Sequence, residues 1–512
     1  MIRKCSSHIV ILLTLLFNIV PYVDGKTIDK STTPDLKGIK DNIIKTSHSI
    51  LLGSNKISYD SYTGTLILRG EHNRPDASFF FISYVKKGTS DKSKRPVIFS
   101  FNGGPGSSSV WLHLGLLGPK RVLMNEDGGM PPPPYKLVSN KYTMLDSADL
   151  VFIDPVSTGF SRAASPEKEK KFHGVSEDIA SVGDFIRLYL SRYGRWTSPK
   201  YLIGESYGTT RAAGLSGYLQ GRHGIYLNGI MLISSVLDHQ TLRFNYGNDL
   251  PPILFLPTYA ATAWYHGKLS GKYGDDLNKV LNDSEEFALG EYASVLLRGN
   301  KLDTVEFNRI ADKISSLTSL SPQFIKENNL RIPANKFFLE LLRETGEKTG
   351  RLDSRFKRFN GNLCFGMNEG FFSDPSYSAI QGPYTETLNQ YVSEELGFKS
   401  DLIYEIITHR IESWNTGKYD GRYVNVSDTL SKAMTTNPHL KIFVASGYYD
   451  LATPYFATKY TFDHMFLPAS LRKNVTFKYY KAGHMMYINI ESLGKLKKDM
   501  DAFFKSSLSG KS

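Results

Sequence analysis

Lys200-Tyr201-Leu202-Ile203-Gly204-Glu205-Ser206-Tyr207-Gly208-Thr209 is a short apolar run that breaks into Gly-x-Ser-x-Gly and then passes into small residues. This is the sequence form of a nucleophile elbow, where a strand reverses sharply into a helix. Gly204 and Gly208 remove side chains at the crowded reversal, so Ser206 is expected in a strained backbone conformation with its hydroxyl above a sheet. With 43 glycines in 512 residues, chance alone supplies on the order of 0.3 to 0.4 such patterns, so the flanks must decide. Upstream the run is strand-like. Downstream, Thr209 to Tyr218 carries Ala212, Ala213 and Gly214, which suits a helix lying close on a sheet and ending at Gly221. Ser206 is the candidate nucleophile.

Moving outward, Pro96 to Phe101 reads as a buried strand that ends in Asn102-Gly103-Gly104-Pro105-Gly106-Ser107-Ser108-Ser109, where three glycines and a proline force a tight loop with exposed backbone amides. Such a loop can form half of an oxyanion hole. Leu150 to Ile153 is the next strand and runs into Asp154-Pro155-Val156-Ser157-Thr158-Gly159-Phe160-Ser161. The helix predicted over Val175 to Tyr193 puts Ile179, Val182, Ile186 and Tyr189 on one face, so strand, helix and elbow strand follow in βαβ order. Tyr226 to Ser234 supplies another parallel strand. Before all of these, Asn55 to Lys86 alternates as antiparallel strands leading into the sheet.

From residue 250 to 430 the pattern turns mainly helical, with Phe307, Ile310, Ile314 and Leu317 on one face and Phe337, Phe338, Leu341 and Leu342 on another. The expectation is an inserted cap (250–430) dividing a core into 26–249 and 431–512. Strand character returns at Lys441 to Ala445 and Val475 to Tyr480, and each strand is followed by a candidate catalytic residue, Asp450 and then His484. The order Ser, Asp, His is that of α/β-hydrolases, distinct from the orders of chymotrypsin-like and subtilisin-like proteases. His484 would take the Ser206 proton, and Asp450 would fix the imidazole tautomer and stabilise the imidazolium. The fold class is therefore α/β, a mixed and mostly parallel sheet flanked by helices.

With these residues in place, the chain resembles the serine carboxypeptidase family. The resemblance is carried by Asn102 to Ser109, Asp154 to Ser161, Gly204 to Gly208, Asn228-Gly229-Ile230, Ser446-Gly447 ahead of Asp450, and Ala482-Gly483-His484-Met485, in family order over about 380 residues. It implies an oxyanion hole from the backbone amides of Gly104 and Tyr207, and a site for the substrate's terminal carboxylate at Asn102, Gly103 and Glu205. It implies a hydrolase of peptides with a free C-terminus, with neither metal nor cofactor. The same triad in an acyltransferase or esterase is the alternative. Three positions depart from the family: Ser107 stands where it has a disulfide-forming cysteine, Tyr448 where an acid precedes Asp450, and Leu116 where a further glutamate helps to hold the carboxylate.

Residues 1–25 pair basic Arg3 and Lys4 with an apolar stretch from Ile9 to Val20, the pattern of a secretory signal cut near Gly25 and too short to span a bilayer. Cys5 would leave with that signal and Cys364 would stand alone as a buried small hydrophobe, so no intramolecular disulfide forms. An exported chain without disulfides suggests a secreted or periplasmic protein, of bacterial type in a bacterial envelope. The net charge of +12 is dispersed over the chain, which reads as a solvated surface and not as a nucleic-acid face. No stable membrane insertion is expected once the signal is removed.

Overall fold

The computed structural model describes residues 40–269, 271, 273–360 and 374–508; the expected signal and both cysteines lie outside them. Nine strands form the body of the fold: β1 (Asn42–Leu52), β2 (Asn55–Arg69), β3 (Pro75–Lys86), β4 (Val97–Phe101), β5 (Asp149–Ile153), β6 (Lys200–Ser206), β7 (Gly229–Ser235), β8 (Lys441–Gly447) and β9 (Val475–Tyr480). They lie in the order β1-β2-β3-β5-β4-β6-β7-β8-β9, with a short tenth strand, Arg162–Ala163, beside β3. The first three pair antiparallel, β3 pairs antiparallel with β5, and every pairing from β5 to β9 is parallel. This is the α/β-hydrolase sheet. Strands β4, β5 and β7 are buried at every position, as expected of parallel strands covered on both faces.

Helices α1 (Val175–Arg192) and α2 (Tyr207–His223) cover one face, and α2 lies close because small residues let it. A Cβ added at Gly214 would come within 2.2 Å of Ile179 Cδ1, and one at Gly183 within 2.6 Å of the Tyr218 ring. The elbow helix runs past Gly221, where a Cβ would meet nothing within 4 Å, and stops at Gly224, whose φ of +64° takes the left-handed cap conformation. The strand after it starts at Gly229 and not at Tyr226, which is half exposed.

The stretch expected as one cap divides. Helix α3 (Leu250–Tyr265) and the helices Leu277–Phe287, Thr304–Thr318 and Ala334–Glu340 bury Ile310, Ile314, Leu317, Phe337 and Leu341 in a separate cluster that ends at Leu342 and also takes in Tyr449, Leu451, Tyr455 and Phe456. Helix α4 (Pro375–Gln390) instead carries a stripe of Tyr377, Ile380, Tyr384 and Leu388 that belongs to the same hydrophobic cluster as one face of the sheet and as Leu493, Leu496 and Met500 of α6 (Ile490–Leu508). Helix α5 (Ser427–Thr436) joins α1 and α2 on the opposite face through Leu430 and Met434. Among the described residues no helix is long and apolar enough to cross a membrane.

At the amino ends of the parallel strands, buried Asp149 holds two guanidinium groups. Arg95 Nε donates to Oδ1 at 3.0 Å and Arg195 Nη1 donates to Oδ2, while both arginines also donate to surrounding carbonyls. Asp149→Ala leaves two buried cations without their counter-charge and is expected to cost about 3 to 5 kcal/mol. The measurement is the urea midpoint of unfolding, which should drop with an unchanged m-value.

Candidate active site

The site lies at the carboxyl ends of β4, β6, β8 and β9, where open α/β sheets gather their functional loops. Ser206 ends β6 with φ 59° and ψ −130°, a strained conformation for a side-chain-bearing residue, and opens α2. The glycines around it are sterically required. A Cβ at Gly204 would lie 2.1 Å from the Gly208 carbonyl oxygen, and one at Gly208 would lie 2.9 Å from that of Phe101. Gly103 leans over the elbow so closely that a Cβ would sit 2.5 Å from the Tyr207 nitrogen. That amide occupies the first turn of α2, where helix geometry supplies no intrahelical acceptor.

Buried groups lock the glycine loop to the elbow. Arg211, on α2, donates from Nε to Asp178 of α1 at 2.7 Å and from Nη1 to the Asn102 carbonyl at 2.6 Å. From the other side Asp154 Oδ1 accepts from both the amide and the hydroxyl of Ser109 at 2.8 Å. Ser161 donates its hydroxyl to the Asp154 carbonyl at 2.6 Å and accepts from the Phe80 amide at 2.7 Å. The segment Asp154 to Ser161 thus braces the loop. Ser107 accepts the Trp111 indole hydrogen at 3.0 Å.

Asp450 and His484 are brought together: His484 Nδ1 and Asp450 Oδ2 are 2.7 Å apart, and both residues are buried. A carboxylate only accepts, so Nδ1 carries the hydrogen and Nε2 keeps its lone pair. The remaining capacity of Asp450 is met by the amides of Ala452 and Thr453, at 2.8 and 2.9 Å, and by the Thr453 hydroxyl at 2.7 Å. The His484 backbone is pinned as well, since Ser234 donates its hydroxyl to the His484 carbonyl at 2.6 Å. The sheet register sets Ser206 opposite Ser235, next to that serine. Burial opposes an imidazolium at His484, but the charge and hydrogen bond of Asp450, with the charge of Glu205, outweigh it and raise the pKa.

Glu205 is buried beside the elbow serine, and Tyr487 donates its phenol hydrogen to Oε2 at 2.5 Å. Burial pushes the Glu205 carboxyl up to about 7, with Asp450 adding to the rise and His484, Tyr487 and Asn102 opposing it. Asn102 accepts from the Leu112 amide at 3.1 Å, while its buried Nδ2 meets no partner in hydrogen-bond geometry, though it lies near enough to Glu205 to favour the charged form. Leu116 is fully buried in the core, and Tyr448 stacks on Tyr479 at 5.7 Å. Sequence reasoning missed Thr453, Ser234, Arg211 and Tyr487. Only Thr453 carried a signal, as a hydroxyl residue three places after an aspartate, the spacing of a side-chain-closed turn.

The sheet order, the elbow and the Asp–His pair define an α/β-hydrolase. The serine carboxypeptidase family model matches residues 53–497, and the chain belongs to that family. It is similar to serine carboxypeptidase-like 40 of Arabidopsis thaliana, 26% identical over 254 residues that cover 46% of this chain and 48% of that protein. It is also similar to carboxypeptidase Y of Saccharomyces cerevisiae, 31% identical over 153 residues that cover 28% of this chain and 25% of the relative. The chain thus spans about half or less of the length of these curated relatives. The crystal structure of a prohormone-processing carboxypeptidase from Saccharomyces cerevisiae superposes with a TM-score of 0.56 at 18% identity, covering 88% of this chain and 92% of that one.

The elbow packing gives a paired test. Gly204→Ala forces a Cβ against the Gly208 carbonyl and is expected to lower the thermal midpoint sharply, whereas Gly221→Ala, in open space within a helix, should raise stability by about 1 kcal/mol. Scanning calorimetry of the two variants checks both signs.

Proposed function

We propose that the protein is a serine carboxypeptidase that removes C-terminal residues from peptides through an acyl-enzyme formed on Ser206. The observation that carries the reading is the buried carboxyl of Glu205 beside the elbow serine, facing the unpartnered amide of Asn102. A neutral carboxyl and an amide are two donors that suit a peptide's terminal carboxylate. In the proposed reaction His484 takes the Ser206 proton through Nε2, and Asp450 holds the imidazolium. The amides of Gly104 and Tyr207 receive the developing oxyanion, while Asn102, Gly103 and Glu205 seat the carboxylate.

An acyltransferase or esterase using the same triad is the second reading. Leu116, in place of the family's second acid, is the observation that favours it. Export is part of the proposal and rests on the N-terminal pattern of Arg3, Lys4 and the Ile9 to Val20 stretch. The bacterial setting rests on cysteine use alone and gains no support from relatives that come from a plant and a yeast.

Mass spectrometry of one peptide, offered as free acid and as amide, separates the two readings. Loss of charge-assisted hydrogen bonds, each worth about 1.5 to 3 kcal/mol, should slow the amide at least tenfold, roughly 1.4 kcal/mol. Ser206→Ala should abolish both activities. Equal rates on acid and amide would favour the second reading.

The pH dependence follows from the two raised groups. Turnover needs His484 neutral, so activity is lost as pH falls through its raised value. Carboxylate binding needs Glu205 neutral, so activity is lost as pH rises through about 7. The expected profile is a narrow bell near neutrality. Glu205→Gln removes the titrating charge and with it one cause of the raised His484 value. In a kcat/KM profile on a free-acid peptide the alkaline fall should therefore flatten and the acid fall move to lower pH. An unchanged profile would assign the limbs to other groups.

A further inference from the structure

Leu116 stands where the resemblance would put a second acid, and the structure sets a tyrosine against Glu205. Tyr487 sits three residues after His484, in the turn Met486–Ile488, buried with its phenol on Glu205 Oε2 at 2.5 Å. Its ring needs room that one glycine provides. A Cβ at Gly115 would lie 2.3 Å from Tyr487 Cε2 and 2.8 Å from the Tyr384 hydroxyl oxygen. Gly115 immediately precedes Leu116, so the residue that lacks the acid adjoins the residue that admits the phenol.

The chemistry of the contact is one-directional. Burial, then the Glu205 charge, holds the Tyr487 phenol far above its ordinary range, so it remains a donor wherever the enzyme works. A neutral carboxyl has one carbonyl oxygen that accepts and one hydroxyl that donates. A phenol donating to Oε2 selects that oxygen as the carbonyl. The groups facing Glu205 are Asn102, Tyr487 and Tyr384, together with Asp450 and His484. Tyr384 is likewise held as a phenol by burial.

We propose that Tyr487 is a positioning residue for the Glu205 proton: by occupying Oε2 it places that hydrogen on Oε1, where Glu205 and the Asn102 amide together receive the terminal carboxylate of a peptide. Tyr487 stays a donor throughout the working range, so the hydrogen on Oε1 is placed without a second acid. This assignment rests on the carboxypeptidase reading for the identity of the ligand. The hydrogen's placement does not depend on it.

The test uses the full chain and the Tyr487→Phe variant, which keeps the ring. In pH-difference infrared spectra, Glu205 is the protonated-carboxyl band that Glu205→Gln removes. In Tyr487→Phe this band should shift to higher frequency, because its carbonyl has lost a hydrogen bond, and should titrate at higher pH, because the phenol no longer favours the carboxylate. A band unmoved in both respects overturns the proposal whether or not the protein is active. With a free-acid peptide, kcat/KM at its maximum should fall about tenfold, mostly through KM, and the free-acid over amide preference should shrink. The alkaline fall should move to higher pH. A loss of kcat/KM with the alkaline fall in place would mean that Tyr487 only fills space, and also overturns the proposal. Wild-type protein that cleaves no peptide, with the band shifted as expected in the variant, refutes the carboxypeptidase reading and supports the proton placement. Should Tyr487→Phe fail to fold, Gly115→Ala displaces the ring by its Cβ and is read by the same band.

Discussion

Everything at the active site depends on how closely three stretches of main chain approach at the end of β6. Gly103, Gly204 and Gly208 are glycines because a Cβ at any of them would meet a backbone atom at 2.1 to 2.9 Å, and backbone cannot move aside as a side chain can. That approach lays the loop after β4 directly over the first amide of α2. The strain at Ser206 is held by elements buried on both faces, and a local conformational cost of about 1 to 3 kcal/mol persists only under such support. The buried Arg211 group, bonded to Asp178 and to the Asn102 carbonyl, ties the loop, the elbow helix and α1 into one unit.

The second constraint is electrostatic. Two carboxyl groups, Asp450 and Glu205, flank one imidazole in a buried site, and their hydrogen-bond surroundings differ. Asp450 accepts from two amides and a hydroxyl as well as from His484. Glu205 has far less of this support, so burial decides and its carboxyl keeps a proton to about 7.

Much of this was legible in the chain because it depends on local backbone chemistry. The glycine pattern around Ser206, the loop from Asn102 and the strands ahead of Asp450 and His484 are short-range features, and each falls at the end of the element the sequence suggested. Long-range packing was less accessible. Helix α4 and the cap helices have similar apolar spacing, and nothing in a stripe of Tyr377, Ile380, Tyr384 and Leu388 says which apolar surface will receive it. The contact between Tyr487 and Glu205 joins residues 282 positions apart and leaves no local pattern. The end of α2 was misread for a different reason: Gly221 breaks helices by propensity, but the cap is set by the glycine that takes a left-handed conformation, Gly224.

The division of the 250–430 stretch bears on how the acid is held. The loop that presents Asp450 is flanked by Tyr449 and Leu451 and leads into Tyr455 and Phe456, all four of them members of the cluster built by the cap helices and not of the two clusters on the sheet. Asp450 itself bonds to His484, which follows β9 of the sheet. The acid therefore sits at the seam between two separately packed cores. Its own carboxylate, through Ala452 and Thr453, fixes the start of the segment that enters the cap cluster. Packing defects in that cluster would reach the Asp450–His484 pair along this segment, through the orientation of the imidazole. The helices Leu250–Tyr265, Leu277–Phe287, Thr304–Thr318 and Ala334–Glu340 share a hydrophobic cluster with the Asp450 loop and are thereby part of the scaffold that holds the Asp450–His484 pair.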